Sequence, residues 1–223
     1  VSDAFNINPV TGARSTRRPR VPSDATFTQG GVYAQSTVAA IPDRLRLEGS
    51  VRFGGASYTA KAADAPIVSG AALWPDDSLD VTGVGFRAAA IATPSDMWTV
   101  SALVSRGFRA PHMTDLGTLG LTGSGFEVAA ADLRAAGLSG TVGSTADGAA
   151  VSTGDAVADL APESSLNVEG TLAFRHAAVR SELTVFVNNV RDNIQKVALI
   201  LPQGAVGRTL GGTPITAHSA TPG

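Results

Sequence analysis

The stretch Leu45-Arg46-Leu47-Glu48-Gly49-Ser50-Val51-Arg52-Phe53 decides the fold. Successive side chains of a strand project to opposite faces. Leu45, Leu47, Val51 and Phe53 therefore share one face with Gly49, and Arg46, Glu48, Ser50 and Arg52 share the other. Such a strand separates an apolar medium from a wet, charged one. That apolar medium is either a protein core or the hydrocarbon of a bilayer, and the rest of the chain discriminates between them.

A length of 223 residues suits one large domain or two small ones. Hydrophobic residues make up 43% and charged residues 16%, the latter well under the roughly 25% usual for soluble domains. Mean hydropathy is slightly positive, yet no run approaches the roughly 20 apolar residues of a membrane helix. A spanning helix is excluded; a spanning β-barrel is not, because its alternating strands pull average hydropathy toward neutral. The net charge of −2 gives no basis for a nucleic-acid partner. The chain has no cysteine, which removes a disulfide framework and thiolate metal sites. Val1-Ser2-Asp3-Ala4 has neither the basic nor the apolar region of a signal peptide. The expectation is a chain whose signal has been removed, or an internal piece of a longer polypeptide.

Period two recurs in three hairpins. Residues 31–40 pair through Ile41-Pro42-Asp43-Arg44 with 45–53, residues 79–92 through Thr93-Pro94-Ser95-Asp96 with 97–108, and residues 165–175 through His176-Ala177-Ala178 with 179–191. Proline presets φ in such turns and a small acid bonds the backbone. Between the hairpins lie long Gly-, Ala-, Ser-, Thr- and Asp-rich segments at 54–78, 109–164 and from 192 onward. Loops beyond roughly 15 residues are uncommon in compact domains, whereas outer-membrane barrels alternate short turns with long loops. Strands of nine to thirteen residues also suit a tilted span better than the usual globular five or six. Trp98, Val100, Ala102 and Val104 oppose Thr99, Ser101 and Ser105; Leu166, Val168, Leu172 and Phe174 oppose Asn167, Glu169 and Thr171. Leu103 and Phe186 are exceptions to the alternation. Aromatics are only 5%, so the interfacial girdles of a barrel are thin, with Trp98, Phe53, Phe108 and Phe174 near strand ends supplying part of them. A soluble β-sandwich would also give one apolar face per strand.

Three segments carry a family resemblance. Val104-Ser105-Arg106-Gly107-Phe108-Arg109-Ala110-Pro111 closes one strand. Leu160-Ala161-Pro162-Glu163-Ser164-Ser165 opens the next after a long loop, and Phe186-Val187-Asn188-Asn189-Val190-Arg191-Asp192-Asn193-Ile194 ends the last. This succession resembles the barrel of TonB-dependent outer-membrane receptors, which read S-R-G-F-R-A-P, then L-x-P-E-x-S, then F-x-N-x-(I/V)-x-D-x-I. Gly31-Val32-Tyr33-Ala34-Gln35 followed by Arg44-Leu45-Arg46-Leu47 is similar to an earlier hairpin of the same barrels. The match runs over about residues 28–195. Its motif residues are Arg106, Gly107, Phe108, Arg109, Ala110, Pro111, Pro162, Glu163, Asn188 and Asp192, all with expected structural roles.

The resemblance implies an all-β, antiparallel transmembrane barrel of about 22 strands with a plug. Its implied setting is the outer membrane of a Gram-negative bacterium. A scarce solute such as siderophore-bound iron, cobalamin, haem or a saccharide binds outside, and an inner-membrane TonB complex drives uptake. Implied partners are outer-membrane lipid, lipopolysaccharide, the imported small molecule and, through an N-terminal part, the TonB complex. No plug, TonB-contacting motif or final aromatic-ended strand is found in the chain. Six or seven strands cannot close a barrel, and an open edge is not tolerated in lipid. The chain is thus expected to be an incomplete barrel from the C-terminal half of the wall, spanning 1–223, with 109–164 a long extracellular loop and Gly223 in mid-loop or opening another strand. Alone it is not expected to transport. A passive porin and a soluble sandwich module for binding or adhesion are the competing functions.

The remaining motifs carry little chemistry. Gly83-Val84-Gly85-Phe86-Arg87-Ala88 fits G-x-G-x-x-G/A, but that fingerprint requires a following helix, and Pro94 leaves little room for one. Arg14, Arg17, Arg18 and Arg20 cluster around Pro19 and suit lipopolysaccharide phosphates; a solvated loop pairing with nearby acids is the plainer reading. Asp76, Asp77 and Asp80 offer calcium-type oxygens without a regular loop pattern. His112, His176 and His218 have no metal-ligand spacing. Phe126, Ala130 and Leu133 suggest a short helix between Gly125 and Leu138. Neither catalytic residues, an enzyme activity nor a cofactor is expected.

Overall fold

A computed structural model describes residues 4–19, 21–117, 120–122 and 125–216. Six long strands form one antiparallel sheet in sequence order: β1 (Thr26–Ile41), β2 (Leu45–Ala60), β3 (Asp77–Ser95), β4 (Trp98–Arg109), β5 (Glu163–His176) and β6 (Val179–Arg191). The sheet stays open between β1 and β6 among the described residues, so it is an arc of barrel wall rather than a closed barrel. No helix among the described residues is long and apolar enough to cross a membrane.

Pairing aligns the apolar sets of neighbouring strands. Phe53 lies between Val32 and Val84, and Val51 between Ala34 and Phe86. Leu172 lies between Val100 and Leu183, and Val168 between Val104 and Val187. These side chains form one uncovered band: Leu47, Val100 and Leu172 are 42%, 44% and 41% exposed. Among the described residues no second sheet stacks on them, as a sandwich would require. From Leu45 to Phe53 the band measures about 26 Å along the strand, or roughly 20 Å at the usual tilt, close to the apolar height of a spanning barrel. Facing lipid, it needs no protein cover.

Short turns join the strands at one end. Asp43 and Ala177 adopt the left-handed conformation there, with φ of 59° and 48°. The expected turn at Thr93–Asp96 is displaced: β3 continues to Ser95, which pairs with Trp98, and Pro94 sits in a register irregularity after Ala92. Proline lacks the N–H that a regular ladder position demands, so it is placed where the ladder is already broken.

At the opposite end the strands run beyond the band, which corrects two sequence boundaries. Residues 54–60 belong to β2, paired with both β1 and β3, not to a long loop. Strand β1 likewise begins at Thr26 rather than Gly31. Ala56, Tyr58 and Ala60 on the polar side of β2 are buried, the last two beneath Leu73 and Trp74 of the 61–76 connection and Leu116 of helix α1 (Met113–Gly117). A second cluster joins Leu133 of helix α2 (Ala130–Ala135) to Ala205, Leu210 and Ile215 from the segment after β6. The expected helix is thus shorter than its spacing suggested, because Gly125–Glu127 pairs as a strand with Gly120–Thr122.

Replacing Val51 by arginine should destabilise the intact barrel by up to roughly 4 kcal/mol, while Ser50→Arg on the opposite face should cost far less. Denaturant unfolding in lipid vesicles measures both.

Candidate functional site

The face opposite the apolar band carries polar residues in register. Tyr33 pairs with Arg52, and Arg52 with Gly85. One row further toward the short turns, Gln35, Ser50, Arg87 and Ser105 follow one another across four strands. The next row contains Glu48 and Glu169. A trough of about 1100 Å³ opens along this face. Four arginines line it, at 52, 87, 106 and 109, and no carboxylate does among the described residues.

Glycines set the depth of the trough. Gly31, Gly54 and Gly83 lie side by side on three strands. The Phe108 ring rests on Gly83 so closely that a Cβ there would sit 2.5 Å from a ring carbon. An aromatic ring covering a strand glycine keeps the ladder sheltered where no side chain can. The same packing explains Gly83-Val84-Gly85, which lies within β3 with no helix after it, so the dinucleotide reading fails.

Counter-charges are few. Glu48 lies 3.0 Å from Arg46 and 4.0 Å from Arg87, so one carboxylate serves two guanidinium groups. Arg106 donates to the Val84 carbonyl at 3.4 Å. Arg109 is paired with Asp115 at 2.8 Å and lies 3.9 Å from Glu163. Arg52 makes no ion pair among the described residues.

Loops roof the upper end of the trough. Asp115 accepts both from Arg109 and from the His112 backbone N–H, fixing the chain as it leaves β4. The His112 ring lies 5.1 Å from that of Phe27 on β1. Deeper in the roof, Arg18 forms an ion pair with Asp132 of α2, and the two residues are 5% and 3% exposed. Asp132 also accepts the Ala129 N–H at 3.0 Å, closing the first turn of α2. The Arg18 Nε is buried without a partner. Tyr58, Trp74 and Asp77 border the same space. They stand beyond the apolar band, at the loop end of the strands. Burial, then the Asp77 charge, pushes the Tyr58 hydroxyl up to about 12. Burial first, and the Asp132 charge second, raise the Asp77 carboxyl above its ordinary range.

The motif residues divide into groups. Arg106 to Arg109 end β4, followed by Ala110 and the fully buried Pro111. Pro162 precedes β5, and Glu163 begins it opposite Arg109. Glu163 also accepts the Ile194 N–H at 3.3 Å, tying the exit of β6 to the exit of β4. Asn188 stands apart within β6 opposite Asn167, and Asp192 just past it has φ of 54°. The basic cluster disperses: Arg14 stacks on Phe5, Arg17 reaches Asn6, Arg18 is buried, and Arg20 lies outside the described residues. The three aspartates separate as well. Asp76 accepts the Ala62 N–H, and Asp77 and Asp80 face opposite sides of β3. His112 and His176 are at opposite ends of the sheet, and His218 lies outside the described residues. Sequence reasoning placed Arg52 on the wet face but missed its grouping with Arg87, whose strand register was not legible. It missed the Arg18–Asp132 pair entirely, since 114 residues separate the partners.

Meander topology, a lipid-type outer band and a charged inner face define a segment of outer-membrane β-barrel. The chain belongs to the TonB-dependent receptor-like β-barrel family, whose model matches residues 2–217. Among solved structures it is similar to the copper transporter OprC, with a TM-score of 0.55 and 17% identity over 86% of this chain. The chain spans 26% of that protein's length. No curated relative matches significantly.

Asp132→Ala would strand the Arg18 charge in the roof, a defect worth about 3–5 kcal/mol when buried; limited proteolysis should then cut the 110–162 connection faster while the strands remain intact. For Asp77 the folded carboxyl has the higher pKa, so its contribution is fully present below the ordinary carboxylate range and is lost as pH rises through the raised value. Hydrogen exchange in the roof should therefore accelerate across that window, and Asp77→Asn should flatten the dependence.

Proposed function

We propose that this chain builds part of the barrel wall and outer vestibule of a Gram-negative outer-membrane receptor that takes up a scarce solute with energy from a TonB complex. One observation carries the reading: an apolar band runs across one face of all six strands, while the opposite face holds a charged trough roofed by loops at one end. That asymmetry suits a wall with lipid outside, a solute path inside and recognition at the loop end. The short turns then face the periplasm, and the connection at 110–162, shorter at each end than the 109–164 expected because Arg109, Glu163 and Ser164 pair in the sheet, lies outside the cell as a vestibule loop. Motif residues Arg109 and Glu163 act structurally, holding the strand exits around the loop roots. Lipopolysaccharide and membrane lipid contact the band and its upper rim, and the TonB complex acts through a part of the receptor beyond these strands. Catalysis has no role in this reading. The solute belongs to the group of siderophore-bound iron, cobalamin, haem and saccharides; at 17% identity the copper named for OprC is not transferred.

The test uses the intact receptor polypeptide that carries these strands. It should fractionate with the outer membrane, show heat-modifiable mobility, and support solute uptake that stops when the inner membrane is de-energised. Removing residues 110–162 should preserve the mobility and abolish uptake. Uptake that persists without energisation would point to a passive porin. A folded, monodisperse monomer obtained without detergent would point to a soluble module.

A further inference from the structure

We propose that helix α2 couples the loops of the roof: fastened by arginines from the segments before β1 and after β6, it makes those loops open as one cooperative unit. The inference concerns the roof alone and does not rest on the vestibule reading.

The roof contains two apolar clusters, and α2 touches both sides. Ala131 and Asp132 border the same small space as Arg18, Tyr58, Trp74 and Leu116, while Leu133 belongs to the cluster of Ala205, Leu210 and Ile215. Ala130, Ala131, Asp132 and Leu133 follow one another and are all buried. At 3.6 residues per turn they point all round the helix axis, so α2 is packed on every side. A helix of six residues is far shorter than the roughly 12–15 that hold together without tertiary support. It therefore persists only while both sides grip it. Loss of one grip removes the helix on which the other packs.

Two arginines from segments flanking the edge strands fasten its two ends. At the first turn, Arg18 pairs with Asp132, which also accepts the Ala129 N–H. Past the last turn the chain reverses at Gly137, with φ of 59°. The Leu138 N–H returns to the Leu133 carbonyl at 2.9 Å and the Gly137 N–H to the Arg134 carbonyl at 3.0 Å, the paired bonds of a Schellman ending. Arg208 then donates to the Ala136 carbonyl and, at 3.3 Å, to the Gly137 carbonyl; the first of these is a group that a helix end leaves without an intrahelical partner. A parallel link runs through Arg134, 2.8 Å from Asp159, between Val157 packed on the second cluster and Leu160 packed on the first. Trp74 brings in the 61–76 connection, since it is buried in the first cluster and its Nε1 donates to the Lys61 carbonyl at 2.9 Å.

Hydrogen–deuterium exchange of the intact receptor in detergent micelles, read by mass spectrometry in a series of low urea concentrations, follows each segment separately. In the wild-type receptor, peptides from 13–19, 61–76, 129–138 and 199–215 should open with one common urea dependence, because that slope tracks the surface exposed in a single event. Arg208→Gln changes an exposed side chain whose bonds reach the end of α2. It should lower protection about tenfold, the low end for loss of charged hydrogen bonds, at 129–138 and 199–215 and equally at 61–76, which it does not bond among the described residues. Arg18→Met should act in the reverse direction and loosen 199–215. If that variant fails to fold, Arg208→Gln decides the matter alone. Arg44→Gln removes a bond to the Pro94 carbonyl at the short-turn end and should leave every roof peptide unchanged. Separate urea slopes in the wild-type receptor, or variants that loosen only their own segment, overturn the proposal. So does an equal rise in exchange at 98–108, since the roof would then open only with the wall. Solute uptake does not enter the readout, so loss of the vestibule reading would leave this result standing.

Discussion

The ladder register between adjacent strands is the constraint on which everything else depends. Side-chain direction alternates with each residue, so a slip of one position exchanges the two faces of a strand. In β2 that slip would carry Arg46 and Arg52 into the apolar band and withdraw Leu47 and Val51 from it. A cost of roughly 2–4 kcal/mol for each arginine moved toward the bilayer centre holds the strand in its correct register. The same penalty applies to β3 through Arg87, and a smaller one to β5 through Glu169. Hydrogen bonds hold the strands together, but lipid selects which pairs form.

With register settled, glycine shapes the inner surface. Gly31, Gly54 and Gly83 place three bare backbone positions in one row, and Phe108 fills the space above the last. The rows toward the short turns then rise again with Tyr33, Arg52, Gln35 and Arg87. The roof supplies the other boundary, since Tyr58 and Ala60 leave the apolar band yet remain buried under Trp74 and Leu116. Strand ends, three connections and the N-terminal segment therefore pack as one layer. The Arg18–Asp132 pair pins that layer across its interior, beside Asp77, whose carboxyl burial and the Asp132 charge hold above its ordinary range.

Much of the wall was legible before any coordinates, because alternation over nine or more residues has one simple cause. The three hairpins, the sign of each face and the position of Asp43 in a tight turn all emerged from local pattern. Errors clustered where local pattern was absent. Residues 54–60 contain Gly, Ala, Ser, Tyr and Thr without clear amphipathicity, and only the roof above them explains why they remain in the sheet. Pro94 looked like a turn residue, whereas a ladder irregularity accommodates it within β3.

By itself, the sequence determined which side of each strand meets hydrocarbon and which meets water, since that depends only on residue type and a period of two. The motif series from Arg106 to Asp192 likewise tied the chain to its family, because those residues stand in order along the chain. Only the tertiary structure decided which charges meet. Arg52 joins Arg87 through the offset between β2 and β3, and Arg18 finds Asp132 through the folding of a connection with no periodic signal. Both outcomes depend on distances between segments remote in sequence, and pair register and loop packing set those distances in three dimensions.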